Sequence, residues 1–113
     1  MTDKIPITRL FYITVPSEEI AKKMASELVK NKLAACVNIL PSVTSIYEWQ
    51  GKIEQDEELS LIVKSTVENA DKIKEFVKNN HPYDEPCLLS LPVDEKASSE
   101  NFVDWIKETA KPT

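Results

Sequence analysis

The stretch that decides the fold runs over residues 34–66, AACVNILPSVTSIYEWQGKIEQDEELSLIVKST. Two runs whose side chains alternate as in strands, 34–49 and 52–66, are separated only by Gln50-Gly51, a pattern typical of a β-hairpin with a tight turn. Pro41 interrupts the first run. Because proline cannot donate a hydrogen bond to a neighbouring strand, a bend, a bulge or a sheet edge is expected there.

The flanking sequence supplies the other elements. Ser17, followed by two glutamates, is a good N-cap for a helix whose apolar residues recur every four positions. The predicted elements are a strand at 8–15, a helix at about 17–32, a helix at about 67–79, a strand at 87–93 and a last helix capped by Ser98 or Ser99. This order, β-α-β-β-α-β plus a C-terminal helix, predicts an α+β fold of the ferredoxin-like kind, an antiparallel sheet with helices on one face.

Composition excludes several classes of function. The chain has 113 residues, a length that predicts one domain. It has a single glycine, Gly51, and a single histidine, His81, so neither a glycine-rich phosphate loop nor a histidine-rich zinc site can be built. The formal net charge of −5 argues against nucleic acid as a partner, because phosphate binding needs clustered positive charge.

The sequence also predicts where the protein works. No apolar run approaches the roughly 20 residues needed to span a bilayer, and the N-terminus lacks the pattern of a signal peptide. The two cysteines, Cys36 and Cys87, are too few for a disulfide framework. We therefore expect a cytoplasmic protein with free thiols and no membrane span, although a secreted protein after removal of its signal would look the same.

The length of the hairpin points beyond the monomer. Each arm of about 15 residues would reach roughly 50 Å, whereas a globule of this size has a diameter of roughly 35 Å. Either Pro41 folds the hairpin over, or its tip reaches another subunit. Tyr47 and Trp49 near the tip are residue types common at interfaces, so an oligomer joined through strand edges is expected.

Several blocks resemble one family. They are 33–38 (LAACVN), 44–53 (TSIYEWQGKI), 62–65 (IVKS), 81–86 (HPYDEP), 91–93 (LPV) and Trp105. Taken together and in this order, they resemble the CutA family of divalent-cation tolerance proteins from about residue 9 to residue 107. The resemblance implies one CutA-like domain over 1–113, with its core at about 8–110. It also implies a ferredoxin-like fold in a homotrimer similar in architecture to PII-type signalling proteins.

The functional expectations come from this resemblance. It implies a non-enzymatic role in tolerance to copper and other divalent cations, with no catalytic residues and no certain cofactor beyond weakly bound Cu or Zn. One alternative is a PII-like sensing module that binds a small metabolite in the cleft between subunits. Another is a structural or anchoring partner, since animal relatives are associated with anchoring acetylcholinesterase at membranes.

The chain departs from the family pattern at possible metal ligands. The family usually has glutamate where this chain has Cys87. Bacterial relatives have been suggested to use a cysteine and a histidine at positions that hold Ile13 and Asn80 here. A metal site built by that set of ligands is therefore not expected.

The site candidates follow from residue chemistry and from the resemblance. Candidates for the ligand cleft are Tyr47, Trp49, Lys64, His81, Tyr83 and Glu85. His81 and Cys87 are candidate ligands for Cu(I) or Zn(II), but a closed site needs about four ligands, and His81 could instead bond a neighbouring chain. The acidic run at 54–58 could capture divalent cations with low affinity. It is better interpreted as a charged edge that blocks unwanted strand pairing, because its spacing matches no calcium loop.

Overall fold

The computed structural model describes residues 7–112. Its single sheet has four antiparallel strands, β1 Thr8–Val15, β2 Cys36–Trp49, β3 Lys52–Thr66 and β4 Leu88–Pro92. Their order across the sheet is β2-β3-β1-β4. The helices are α1 Glu18–Lys30, α2 Ala70–Asn80 and α3 Glu100–Thr109, with short 3₁₀ turns at Val67–Asn69 and Glu95–Ala97. The predicted element order and the ferredoxin-like antiparallel sheet are confirmed.

The core lies between the sheet and the first two helices. Every second residue of β1, namely Phe11, Ile13 and Val15, is buried against this layer. Most of the remaining cluster comes from β3, α1 and α2, including Leu61, Val63, Met24, Leu28, Ile73 and Val77. Burying an aliphatic side chain of this size contributes about 1.5–3 kcal/mol, so this layer provides the main stabilisation of the monomer.

The first helix begins as its sequence predicts. The Ser17 side chain accepts a hydrogen bond from the Ile20 N–H at 3.2 Å. Two acidic residues in the first turn, Glu18 and Glu19, lie at the positive end of the helix dipole. The second helix begins later than predicted, because residues 67–69 form a 3₁₀ turn that leaves Val67 exposed rather than on the inner face.

Helices cover little of the opposite face of the sheet. Lys64 is adjacent in β3 to the core residue Val63, so its side chain points to this second face. Its Nζ lies 5.1 Å from the centroid of the Phe102 ring, and because Phe102 belongs to α3, this helix reaches the second face. By the same alternation Leu40 of β2 and Leu89 and Leu91 of β4 point to the second face, and all three are exposed. We call this surface the open face.

The β2–β3 hairpin projects from the body of the protein. Leu40 pairs with Ser60 and Val43 with Glu58, so Pro41-Ser42 forms the expected bulge opposite a single residue of β3. The bulge does not fold the hairpin over, since residues 46–57 are all exposed. The molecule measures 49 × 31 × 23 Å, and its radius of gyration is 15.1 Å, against about 13 Å for a compact chain of this length.

The turn at the tip has the geometry that its sequence predicts. Gln50 and Gly51 have φ values of 51° and 79°, and Trp49 pairs with Lys52 on either side of them. Positive φ at both central residues is the type I′ turn, which matches the twist of the two strands. Within residues 7–112, no helix has the length and hydropathy to cross a bilayer.

Candidate functional site

A cleft of about 620 Å³ opens between the projecting hairpin and the loop that follows α2. The hairpin and β1 form one wall, and residues 82–87 of the loop form the other. The lining residues are Thr14, Tyr47, Trp49, Asp56, Glu58, Pro82, Tyr83, Asp84, Glu85 and Cys87. The volume lies in the range typical of small-molecule sites, about 300–1,000 Å³.

Hairpin register sets the first wall. Tyr47 pairs with Glu54, and Ser45 pairs with Asp56, so directly opposed residues share a face. Side chains alternate along each strand. The register therefore brings Tyr47, Trp49, Asp56 and Glu58 onto one face of the hairpin, and this is the open face of the sheet.

Each of two tyrosines pairs with a carboxylate in this cleft. The Tyr47 hydroxyl donates a hydrogen bond to Asp56 Oδ2. This bond, followed by partial burial and nearby carboxylates, raises the pKa of Tyr47 to about 12. The Tyr83 hydroxyl lies 3.4 Å from Glu58 Oε2, and burial together with Glu58 and Asp56 raises the pKa of Tyr83. Both phenols therefore stay neutral donors at physiological pH.

His81 lies behind the loop and holds it in place. Its Nδ1 accepts the Tyr83 N–H at 3.1 Å, and its Nε2 lies 2.7 Å from the Thr14 carbonyl oxygen. Because Nδ1 is an acceptor, the neutral ring must carry its proton on Nε2 and donate it to Thr14. The His81 ring also packs on the Tyr83 ring, with centroids 4.7 Å apart. His81 thus orients Tyr83 toward Glu58.

The cleft brings together most of the residues predicted for it. Tyr47, Trp49, Tyr83 and Glu85 all line it, and so does Cys87. His81 supports the cleft from behind and is buried.

Lys64 does not line the cleft. It shares the face of Glu58, but six residues along β3 place it about 20 Å away, beside Phe102. A single chain therefore does not bring Lys64 to the predicted cleft.

The described part of the chain adds no third converging ligand to the candidate metal ligands His81 and Cys87. Within residues 7–112, no group of three or more His, Cys, Asp or Glu side chains is arranged to hold a metal ion. Both ring nitrogens of His81 already have hydrogen-bond partners. Cys87 is a half-buried free thiol at the wall of the cleft.

Sequence reasoning misses part of the acidic wall. Asp56 and Glu58 belong to the run interpreted as a charged edge, yet they line the cleft and receive the tyrosine hydrogen bonds. The signal is present in the hairpin, because a two-residue turn at 50–51 places Tyr47 and Asp56 on one face. No short-range pattern of this kind predicts Thr14 or Asp84, because only the tertiary fold brings these two residues to the cleft.

Comparison with known proteins gives a consistent result. Residues 9–109 match the family model described as CutA1 divalent ion tolerance protein. The divalent-cation tolerance protein CutA of Thermus thermophilus is 50% identical over 96 residues, 85% of this chain and 91% of that protein. The solved structure of the Thermus thermophilus protein superposes with a TM-score of 0.87 at 47% identity, covering 91% of this chain and 98% of that one. The chloroplastic protein CutA of Arabidopsis thaliana is 41% identical over 100 residues, 88% of this chain but 54% of that protein.

Proposed function

Because the chain belongs to the CutA1 divalent ion tolerance protein family, we propose that it contributes to copper tolerance as a non-enzymatic homotrimer. Its general role is divalent-cation tolerance, and the proposal adds copper as the metal and a homotrimer as the assembly. A cytoplasmic location is part of the proposal and is supported by the two free thiols. The Arabidopsis relative, in contrast, is named as chloroplastic.

The observation that carries the assembly is the shape of the chain. In a molecule that measures 49 × 31 × 23 Å, the projecting hairpin exposes apolar side chains near its tip, among them Ile46, Trp49 and Ile53. The open face adds exposed leucines such as Leu89 and Leu91. Apolar surface on this scale in a small protein marks an interaction site, and copies of the same chain would cover it in a trimer.

Direct metal binding is proposed at Cys87 and His81. A thiolate and an imidazole suit Cu(I) or Zn(II), and Cys87 is accessible from the cleft. His81 could ligate only if one ring nitrogen gave up its bond to Thr14 or Tyr83. The proposal therefore predicts weak binding, strengthened only if several copies of Cys87 approach one ion.

Calorimetry tests this metal site. The chelator-treated, reduced protein is titrated with Zn(II), and with Cu(I) under anaerobic conditions, in the wild type and in Cys87→Ser, His81→Ala and Cys36→Ser. We expect Cys87→Ser to weaken binding at least about tenfold, a change of about 1.4 kcal/mol. Cys36→Ser, which changes a half-buried cysteine outside the cleft, should leave it unchanged. Unchanged affinity in both Cys87→Ser and His81→Ala would reject the site.

A second candidate function is sensing of a small molecule. The observation that favours it is the cleft itself, because its size suits a metabolite and its walls combine aromatic rings with polar groups. This function needs no metal at Cys87.

A further inference from the structure

The fold orients the His81 ring so that one defined nitrogen can bind a metal ion. Its Nε2 lies 2.7 Å from the Thr14 carbonyl oxygen, which can only accept, so Nε2 carries the ring proton. Histidines that bind metals usually donate their other ring N–H to a carbonyl or carboxylate oxygen in this way, which fixes the tautomer and the orientation of the ring. The Thr14 carbonyl therefore leaves Nδ1 as the nitrogen with a lone pair.

The lone pair of Nδ1 is already in use. It accepts the Tyr83 N–H at 3.1 Å, and an N–H donor and a metal ion compete for the same lone pair. The Tyr83 ring also packs on the imidazole, with centroids 4.7 Å apart, and His81 is only 8% exposed. A metal bond to Nδ1 therefore requires Tyr83 to move.

Tyr83 ties the loop after α2 to the sheet. Its hydroxyl donates to Oε2 of Glu58, a buried residue of β3, at 3.4 Å. Cys87, the other candidate ligand, lies at the end of the same loop, so a movement of Tyr83 also affects the segment that carries the thiol. All of these contacts lie within one chain, and none of them depends on whether neighbouring copies cover the hairpin.

We propose that His81 binds the metal ion through Nδ1, and that binding displaces the Tyr83 N–H and releases residues 82–87 from β3. The bond from Nδ1 to the metal replaces the hydrogen bond from Tyr83, and the imidazole keeps its proton on Nε2. Cys87 binds as a thiolate and gives its proton to the solvent. This inference rests on the metal site proposed above, and it adds which nitrogen binds and how occupancy changes the protein.

Metal affinity and loop position are linked in this arrangement. The hydrogen bonds of Tyr83 hold the loop in the metal-free form, so they weaken metal binding. By reciprocity, metal binding loosens the loop by the same free energy. The loop thereby converts occupancy of a buried histidine into a change of shape at the protein surface.

NMR of the single histidine tests the proposal. His81 is the only histidine in the chain, so its ring nitrogens give one unambiguous pair of signals. Reduced, untagged, ¹⁵N-labelled protein is compared before and after saturation with Zn(II), which is diamagnetic. We expect Nε2 to keep its proton, the Nδ1 signal to shift, and the Tyr83 amide to exchange at least about tenfold faster. An unchanged Tyr83 amide with Zn(II) bound, or coordination through Nε2, would overturn the proposal.

Matched tyrosine variants test the linkage. Tyr83→Phe removes the hydroxyl that ties the loop to Glu58 and should tighten Zn(II) binding by about threefold or more, because fewer bonds oppose release of the loop. Tyr47→Phe removes a similar bond to Asp56 within the hairpin and should leave the affinity unchanged. Sedimentation velocity checks that both variants keep the assembly of the wild type. Equal effects of the two substitutions, or weaker binding in Tyr83→Phe, would contradict the linkage.

Calorimetry separates a failure of this linkage from a failure of the metal site. If Zn(II) binds and Cys87→Ser weakens binding, while the His81 nitrogens do not change, the site stands on Cys87 and the linkage is wrong. If the wild type binds no Zn(II), the metal site itself is rejected and the linkage with it.

Discussion

Glu95 joins the beginning of β1 to the segment before α3. Its Oε2 accepts the N–H groups of Ile7 and Thr8, at 3.1 and 2.8 Å, and its Oε1 lies 3.1 Å from Lys107 Nζ. Burial by itself would raise the pKa of Glu95, but the bonds from Thr8 and Lys107 outweigh it and lower the pKa to about 2. One carboxylate thus connects the start of the inner strand β1 to the C-terminal helix.

Replacing Glu95 tests this connection through its pH dependence. Its folded pKa of about 2 lies below the ordinary 4.5, so the ionised group stabilises the fold above pH 4.5, and this contribution disappears as the pH falls toward 2. We expect Glu95→Gln to cost about 1–2 kcal/mol at pH 7, allowing for screening by solvent. Urea unfolding from pH 7 to pH 2.5 should show the gap to wild type narrowing below pH 4.5. A gap independent of pH would contradict this.

At the scale of elements, the hairpin carries the strongest local information. Its turn, both of its strands and its bulge follow from short-range rules, because a two-residue turn sets the register for every pair beyond it. Gly51 is the residue on which this depends. Its φ of 79° is costly for a residue with a side chain, although a β-carbon added there would meet no atom within 4 Å apart from its chain neighbours.

Substitution of Gly51 separates backbone strain from steric clash. Because the space around it is open, Gly51→Ala should destabilise the protein through conformation alone, by about 1 kcal/mol. Gly51→Asn should recover most of that loss, since asparagine tolerates positive φ better. Urea unfolding of the two variants measures the difference. Equal stabilities would show that the turn adapts to alanine without strain.

At the scale of the whole molecule, the two faces of the sheet differ. One is covered by α1 and α2, whereas the open face leaves Leu89 and Leu91 exposed and continues into the projecting hairpin. A monomer would keep this apolar surface in water. In the proposed homotrimer, neighbouring copies would cover this surface, and the stability of the protein would then rise with protein concentration.

A charge on the open face tests the assembly. Leu89→Glu should leave the fold of one chain intact, because Leu89 is 60% exposed, but it should shift a trimer toward monomer at micromolar concentration. Val29→Glu changes an exposed residue of α1 on the covered side and should have no such effect. Sedimentation velocity measures the species, and circular dichroism checks the fold. A wild-type monomer, or a trimer insensitive to Leu89→Glu, would argue against this interface.

The candidate site is predictable in part. Tyr47 and Trp49 can be placed on one strand face, and the tight turn implies that Asp56 lies on the same face. Lys64 shares that face too, but alternation along a strand gives only a direction and not a position, and Lys64 lies outside the cleft. The imidazole partners of His81 lie two residues away at Tyr83 and 67 residues away at Thr14, and no local pattern relates His81 to Thr14.

Short-range sequence information is enough to specify the elements, their order and the register of the hairpin, whereas only the structure shows that the hairpin projects beyond the core instead of folding over at Pro41. The elements, their order and the register depend on hydrophobic period, capping and turn chemistry, all of which act over a few residues. Only the packing of the whole chain brings the loop after α2 close to Asp56 and Glu58 of the hairpin. The same packing lets His81 support this loop through hydrogen bonds at both ring nitrogens. Those contacts join segments far apart in the chain. Their geometry follows from how the helices pack on the sheet, which no short stretch of sequence encodes.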